Sequence, residues 1–364
     1  MAHNKLGYSR RAIDQAGASL TRENETDLSI EDAISKLNNW RSFHSFPLNT
    51  ITVDLKQKAD RIDSLAQVVR RLKRSRSIIS KLTKESSMRL TQMQDIGGCR
   101  AVLNSIDAVY DVKNMYLRGK SQHELVSIDD YIRHPKQSGY RSLHLVYRFR
   151  SKGYPEYDRL LLEIQLRTTA QHAWATAVET VGAMSGQALK SSEGEAEWLE
   201  YFQFASLALE HSERPIFSTI TPHSLGGIAR KLAALDKRLQ VGKKLTAYRQ
   251  ALRATERADK KKAAYFLLVL LPEQPELQIF TYTRQQSDLA LKEYERFERL
   301  IPLYSSRNQL PLFPDLENYT GAQAVLVGAE SFRSIRDSYP NYYLDTEVFV
   351  TQVDYFVRRY RRSP

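Results

Sequence analysis

The residues with most to explain are carboxylates set among apolar neighbours, with lysines close by. Asp95-Ile-Gly-Gly98-Cys-Arg100 runs straight into the apolar AVL. An aspartate that opens a strand suits Mg²⁺, which takes one or two carboxylates together with substrate phosphates. The paired glycines allow a tight turn or a close approach of backbone to a ligand. Arg100, facing outward, would stack on a base or pair with phosphate. A capped turn followed by a surface arginine explains the same residues equally well. A second segment, Arg71-Leu-Lys73-Arg-Ser-Arg-Ser77-Ile-Ile-Ser-Lys81, puts Lys73, Ser77 and Lys81 four apart. On a helix they form one stripe of groups able to clamp a triphosphate, although a solvated helix face is the simpler account of this segment alone.

The densest constellation is Asp130-Tyr-Ile-Arg-His-Pro135-Lys136-Gln-Ser-Gly139-Tyr140-Arg141-Ser-Leu-His144, followed by Glu163-Ile-Gln165-Leu-Arg167-Thr168 and His172. Its Pro-Lys-x-x-Gly turn projects Tyr140 as a stacking surface for a purine, with Lys136 and His144 beside it as donors to phosphate or ribose. Glu163 lies between Leu161, Leu162, Ile164 and Leu166. A carboxylate buried there needs a partner or a metal; otherwise its pKa rises and it becomes a proton acceptor near neutral pH. The plainer alternative is a strand-edge glutamate paired with Arg167 or Arg141.

Elements must position these groups. Residues 1–93 read as helical, with Leu65, Val68, Leu72, Ile79 and Leu82 at helical spacing. Residues 94–170 change to short apolar runs, CRAVL (99–103), SLHLVYRF (142–149) and LLLEIQL (160–166), which read as strands between Gly and Pro turns. Helical patterning returns from Ala170 to about Ser212. Gly226 to Lys262 then carries twelve Lys and Arg against three acids and ends in Lys260-Lys261-Lys262; a solvated connecting helix is the bland reading. A second small unit follows, with strands over 263–271, 277–283 and 322–328, a helix over 285–300 and helices to the end. The expected class is therefore α/β (α+β), a mixed sheet flanked by helices plus a smaller C-terminal α/β domain. The segments are 1–60 helical, 61–212 catalytic, 213–262 a basic connector and 263–364 C-terminal.

The 364 residues and a 42% apolar fraction are enough for two cores. No run is apolar enough to span a bilayer, and no apolar segment follows the charged N-terminus, so a cytoplasmic protein is expected. The single cysteine, Cys99, leaves no internal disulfide and no zinc thiolate cluster. The formal charge of +12 favours polyphosphates, nucleic acid or an acidic partner.

DIGGCR, DYIRHPKQSGYRSLH and EIQLRTTAQH, in this order and spacing, resemble the synthetase domain of the RelA/SpoT alarmone synthetases over roughly residues 60–212. The resemblance implies transfer of the β,γ-pyrophosphate of ATP to a ribose 3′-hydroxyl. In that reading Asp95 holds Mg²⁺, while Glu163 deprotonates or orients the hydroxyl and completes the metal shell. Arg71, Lys73, Ser77 and Lys81 hold the ATP phosphates and Arg100 stacks on adenine. Tyr140 stacks on the acceptor base, with Lys136, His144, Gln165 and His172 positioning the rest of the acceptor. The family's hydrolase half needs a His-Asp motif, and no such pair occurs among the eight histidines, so synthesis without degradation is implied. The opening YSRRAIDQAG and the C-terminal unit resemble the CapRel-like fused toxin–antitoxins. That likeness implies tRNA as acceptor, self-inhibition by residues 263–364 and a phage protein as trigger. A GDP- or GTP-using alarmone synthetase is the second reading, and a non-catalytic RNA-binding protein on the same scaffold is the third. The sequence leaves oligomerisation open.

Overall fold

The helical reading of the first 93 residues holds for α1 (Arg10–Ser19), α2 (Asp27–Phe43), α3 (Ser45–Ile62) and α4 (Ser75–Lys84) and fails between α3 and α4. There the run QVVRRL forms strand β1 (Gln67–Leu72). It pairs antiparallel with β2 (Gly97–Leu103), from Gln67 opposite Val102 to Leu72 opposite Gly97. The adjacent valines favour a pleated surface, and a ladder with a neighbouring strand outweighs the helical spacing of Leu65, Val68 and Leu72. Lys73 consequently sits in the β1–α4 turn and shares no helical stripe with Ser77 and Lys81.

The computed structural model describes residues 5–21, 27–119, 121–185, 196–214 and 222–239, then 241–242, 245, 265–270, 277–286 and 323–328, single positions between 289 and 296, and 346–363. The run Lys260–Lys262 and the helix expected over 285–300 beyond these positions lie outside the described residues. The chain divides into two units. One comprises residues 1–129 and 143–166, the other 130–142 and 167–364.

The first unit contains the mixed five-stranded sheet flanked by helices that the sequence leads one to expect. Its strand order is β1-β2-β5-β4-β3, with β3 spanning Glu124–Asp130, β4 Leu143–Arg148 and β5 Leu161–Thr168. The strands β2, β4 and β5 fall on the three apolar runs; β3, ELVSIDD, was not expected. Side chains alternate across the pleat. One face presents Cys99, Ala101, Leu103, Leu143, Leu145, Leu162 and Ile164, all buried. The helix α3 covers it closely: a Cβ on Gly97 would lie 3.6 Å from Leu48 Cβ, and 3.4 Å from Cβ of His44, the residue that caps the helix. Helix α5 (Ile106–Arg118) completes that layer through Val109, Val112 and Tyr116. The other face collects the polar residues, with Arg71 opposite Gly98, His144 opposite Gln165 and Val146 opposite Glu163.

The second unit is built from α6 (Thr169–Ser185), α7 (Ala196–Glu213), α8 (Pro222–Leu239), a three-stranded antiparallel sheet and a last helix, α9 (Glu347–Tyr360). The sheet runs β7-β6-β8, with β6 at Tyr265–Leu270, β7 at Leu277–Tyr282 and β8 at Gln323–Gly328, all within the spans expected from sequence. Trp174, Trp198, Tyr201, Phe202, Phe349, Val353 and Phe356 form one core in which Tyr140 is also buried. Among the described residues no helix is long and apolar enough to cross a membrane.

Candidate functional site

On the polar face of the first unit, Asp95 is gripped by both lysines. Lys73 Nζ donates to Oδ2 at 2.7 Å and Lys81 Nζ to Oδ1 at 3.2 Å. Burial alone would raise the Asp95 pKa; the charges of Lys73 and Lys81 outweigh it and hold the carboxyl below its usual range. The turn that presents Lys73 is fixed by Arg41, a residue that carried no signal in the sequence. Arg41 Nε donates to the Lys73 carbonyl at 2.9 Å, and its Nη1 donates to Ser75 Oγ at 2.8 Å and Asn38 Oδ1 at 3.0 Å. Arg71 and Ser77 are exposed near this cluster in sequence.

Glu163 is the second centre. His144 Nδ1 lies 2.8 Å from its Oε1, and Gln165 Nε2 donates to its Oε2 at 2.6 Å. The register explains the first contact, since Val146 stands opposite Glu163 and puts His144 on its diagonal. Burial pushes the Glu163 pKa upward, but the His144 hydrogen bond and charge, then Gln165 and Lys73, bring it down to about 2. Of the two outcomes expected for a carboxylate buried there, a partner or a raised pKa, the structure shows the partner: Glu163 is held by two side-chain hydrogen bonds. Its partners are His144 and Gln165, not Arg167 or Arg141. Gly98 leaves room beside it, because a Cβ there would approach Glu163 Oε2 to 4.0 Å.

The two centres feel each other. Lys73 lowers the Glu163 pKa, and Glu163 raises that of Asp95. Among the described residues no three His, Cys, Asp or Glu side chains cluster as a ready-made metal cage. Two coupled carboxylates still fit Mg²⁺, an ion that leaves most of its shell to water and phosphate oxygens. Arg100 departs from expectation. It is 8% exposed, on the sheet face shared with Gly98, so it does not stand outward as a free stacking surface.

The second unit holds the remaining candidates. Tyr140 is 5% exposed. Its hydroxyl accepts from Arg167 Nη2 at 2.7 Å, its ring lies 5.9 Å from Tyr131 and 6.3 Å from Trp174, and Lys136 Nζ lies 5.5 Å from its centroid. The turn does not project this ring into solvent, because its neighbours enclose it. Lys136 itself is exposed, and His172 is half-buried on α6. The turn is anchored to one stripe of α7. Gln203 Nε2 donates to the Gln137 carbonyl at 2.6 Å, Ser206 Oγ to the Gly139 carbonyl at 2.5 Å, and Arg141 Nη2 to Glu210 Oε2 at 2.7 Å. Gly139, at φ 86°, is required here: a Cβ would lie 2.9 Å from Ser206 Cβ. Sequence reasoning missed these α7 positions because spacings of three and four on a helix look the same whether the helix is solvated or clamps a loop.

Residues 70–181 match the family model described as the region found in RelA/SpoT proteins. The likeness covers these residues, under a third of the chain. These residues include every site residue expected from the sequence, whereas Arg41 and the α7 positions lie outside them. GTP pyrophosphokinase YjbM of Bacillus subtilis (strain 168) is 37% identical over 111 residues, covering 30% of this chain and 52% of the relative. GTP pyrophosphokinase YwaC of the same organism is 34% identical over 114 residues, covering 29% and 52%. The chain thus spans about half the length of the curated relatives it matches. Among solved structures, small alarmone synthetase 1 of Bacillus subtilis, bound to its product pppGpp, is 28% identical with a TM-score of 0.41, covering 49% of this chain and 95% of the other.

Proposed function

We propose that the chain is a pyrophosphokinase that moves the β,γ-pyrophosphate of ATP onto a ribose 3′-hydroxyl. The observation that carries this reading is the coupled cluster of Lys73, Lys81, Asp95, His144, Glu163 and Gln165 on one face of a RelA/SpoT sheet. Mg²⁺, held by Asp95 and Glu163, would neutralise triphosphate charge. Lys73 and Lys81 exchange part of their bond to Asp95 for ATP phosphate oxygens, with Arg71 and Ser77 alongside, and Arg100 lies against the adenine side. Glu163 accepts the hydrogen bond of the 3′-hydroxyl and aims its oxygen at the β-phosphorus. The new O–P bond forms as the bond from the β-phosphorus to the bridging α-phosphate oxygen breaks; the hydroxyl proton passes by way of Glu163 to solvent, and AMP leaves. His144 and Gln165 keep Glu163 ionised and oriented, which is the positioning that phosphoryl chemistry chiefly needs. Lys136, Tyr140 and His172 hold the acceptor, and Tyr140 meets a base only after its ring turns out of the core.

For the acceptor we propose the 3′ end of tRNA, with residues 263–364 restraining the synthetase until a phage protein releases it. The support is the CapRel-like opening and the three-stranded C-terminal sheet. A specific observation favours the second reading, GDP or GTP, since both curated relatives are named GTP pyrophosphokinases. An acceptor screen decides between them: purified protein and [γ-³²P]ATP are incubated in parallel with total tRNA, GDP, GTP and AMP. Label in tRNA supports the first acceptor; label confined to guanine nucleotides replaces it with the second.

A further inference from the structure

We infer that the C-terminal end of α9, with Arg230 of α8, is a docking surface for an RNA phosphate backbone. It lies entirely in the second unit and outside the RelA/SpoT region. Arg230, Arg358, Arg359, Arg361 and Arg362 are all exposed. They are drawn together because Arg230 Nη1 donates to the Ser363 carbonyl at 2.7 Å, tying the end of the chain to α8. Tyr360 is fixed from the other side, its hydroxyl 3.2 Å from His211 Nε2 on α7.

Two other cations of α8 serve differently, while Lys237 is exposed. Lys231 pairs with Glu200 and Arg238 with Glu197, each at 3.1 Å. At the α9 end the acids among the described residues include Asp354, one turn before Arg358, and Asp236, which acts on Asp354. Among the described residues the five guanidinium groups thus outnumber the carboxylates beside them. Tyr355 stands among them, 56% exposed. Arg359 Nη1 donates to its hydroxyl at 2.8 Å, and the Arg359 guanidinium lies 6.0 Å from the Tyr355 ring and 5.6 Å from the Tyr360 ring. Held arginine forks match phosphate oxygens in pairs, and an exposed ring beside them offers a stacking face to an unpaired base. A free nucleotide would engage only a fraction of such a surface, whereas a folded RNA presents phosphates along its length.

This inference rests on the proposed function only in choosing tRNA as the probe. Each phosphate neutralised contributes ~0.7–0.9 to the slope of log affinity against log salt, so losing four arginines should lower that slope by about 3. Fluorescence anisotropy with total tRNA and the full chain compares the wild type with the combined R358Q/R359Q/R361Q/R362Q variant and with its Lys counterpart. We expect the Gln variant to bind at least ~10-fold more weakly at low salt with the reduced slope, the Lys variant to recover most of both, and the melting temperature to stay unchanged. Equal affinity and slope in wild type and Gln variant, or no tRNA binding by the wild type, overturns the surface. So does binding of polyglutamate as tightly as tRNA, which would make the partner an acidic protein. If the surface behaves as expected but label from ATP enters only GDP or GTP, the tRNA acceptor falls and the surface stands. If label enters tRNA with the variant's KM unchanged, the reverse holds.

Discussion

Removing the C-terminal helix should unfold the unit that carries Tyr140, because α9 is core and not an appended tail. Phe349, Val353 and Phe356 are 0%, 4% and 1% exposed. Phe349 lies 5.9 Å from Phe202, which lies 6.1 Å from Trp174, itself 6.3 Å from Tyr140. Burying each of the three α9 side chains is worth ~1.5–3 kcal/mol, hence roughly 5–9 kcal/mol for the helix. That is comparable to the whole stability of a domain, about 5–15 kcal/mol. The single change Phe349→Ala should cost ~3–5 kcal/mol, lowering the melting temperature by roughly 6–20 °C at ~2–4 °C per kcal/mol. Scanning calorimetry on the full chain, on Phe349→Ala and on a chain ending at residue 345 measures this. A 1–345 chain that melts with the wild-type midpoint would refute the reasoning. The consequence for function is direct: deleting all of 263–364 to release a restrained enzyme also strips the core behind Tyr140, so a fair deletion must keep α9.

Glu163→Gln keeps the shape and the Gln165 contact but removes the charge that draws His144; turnover should fall by ~100-fold or more with the melting temperature close to wild type. Asp95→Asn leaves Lys73 and Lys81 without their anion, and the account expects a raised KM for ATP along with lost turnover, read from initial rates against ATP concentration. The Glu213 pKa is pushed up to about 7, chiefly by burial, against the opposing effects of Thr168, Arg141 and Gln171. A carboxyl raised in the fold lends stability that is complete below its unfolded pKa of ~4.3 and is lost as pH rises through about 7. Urea midpoints between pH 5 and pH 8 should therefore decline less in Glu213→Gln than in the wild type, and parallel declines would contradict the assignment. Gly139→Ala forces a Cβ against Ser206 at positive φ, so the acceptor turn should loosen at a cost of ~1–3 kcal/mol, seen as a lower unfolding midpoint.

Much of the first unit was legible because central strands announce themselves. CRAVL, LHLVYR and LLEIQL are apolar runs with turn residues at their ends, and the carboxylate inside the last stood out for that reason. The edges of the sheet were harder. QVVRRL read as helix because Leu65, Val68 and Leu72 happen to recur at helical spacing, and ELVSIDD carries too many charges to look like a strand until a neighbour supplies the ladder. The chemistry of Glu163 depended on register: only when Val146 stands opposite it does His144 reach its carboxylate. Tyr140 shows the opposite limit. Its turn was evident, but whether the ring points out or in is decided by Trp174 and Phe202, more than thirty residues further along the chain, and by Arg167. Arg41 gave no sign at all, since one arginine in a helix tells nothing about the carbonyl it will meet.

The most direct test of the central claim is the fate of ATP itself. With a competent acceptor, chromatography of the nucleotides should show AMP formed in step with a product gaining two phosphates, and neither should appear with Glu163→Gln of wild-type melting temperature. ADP formed in step with a product gaining one phosphate, or undiminished AMP from the Glu163→Gln protein, would contradict pyrophosphate transfer at this site.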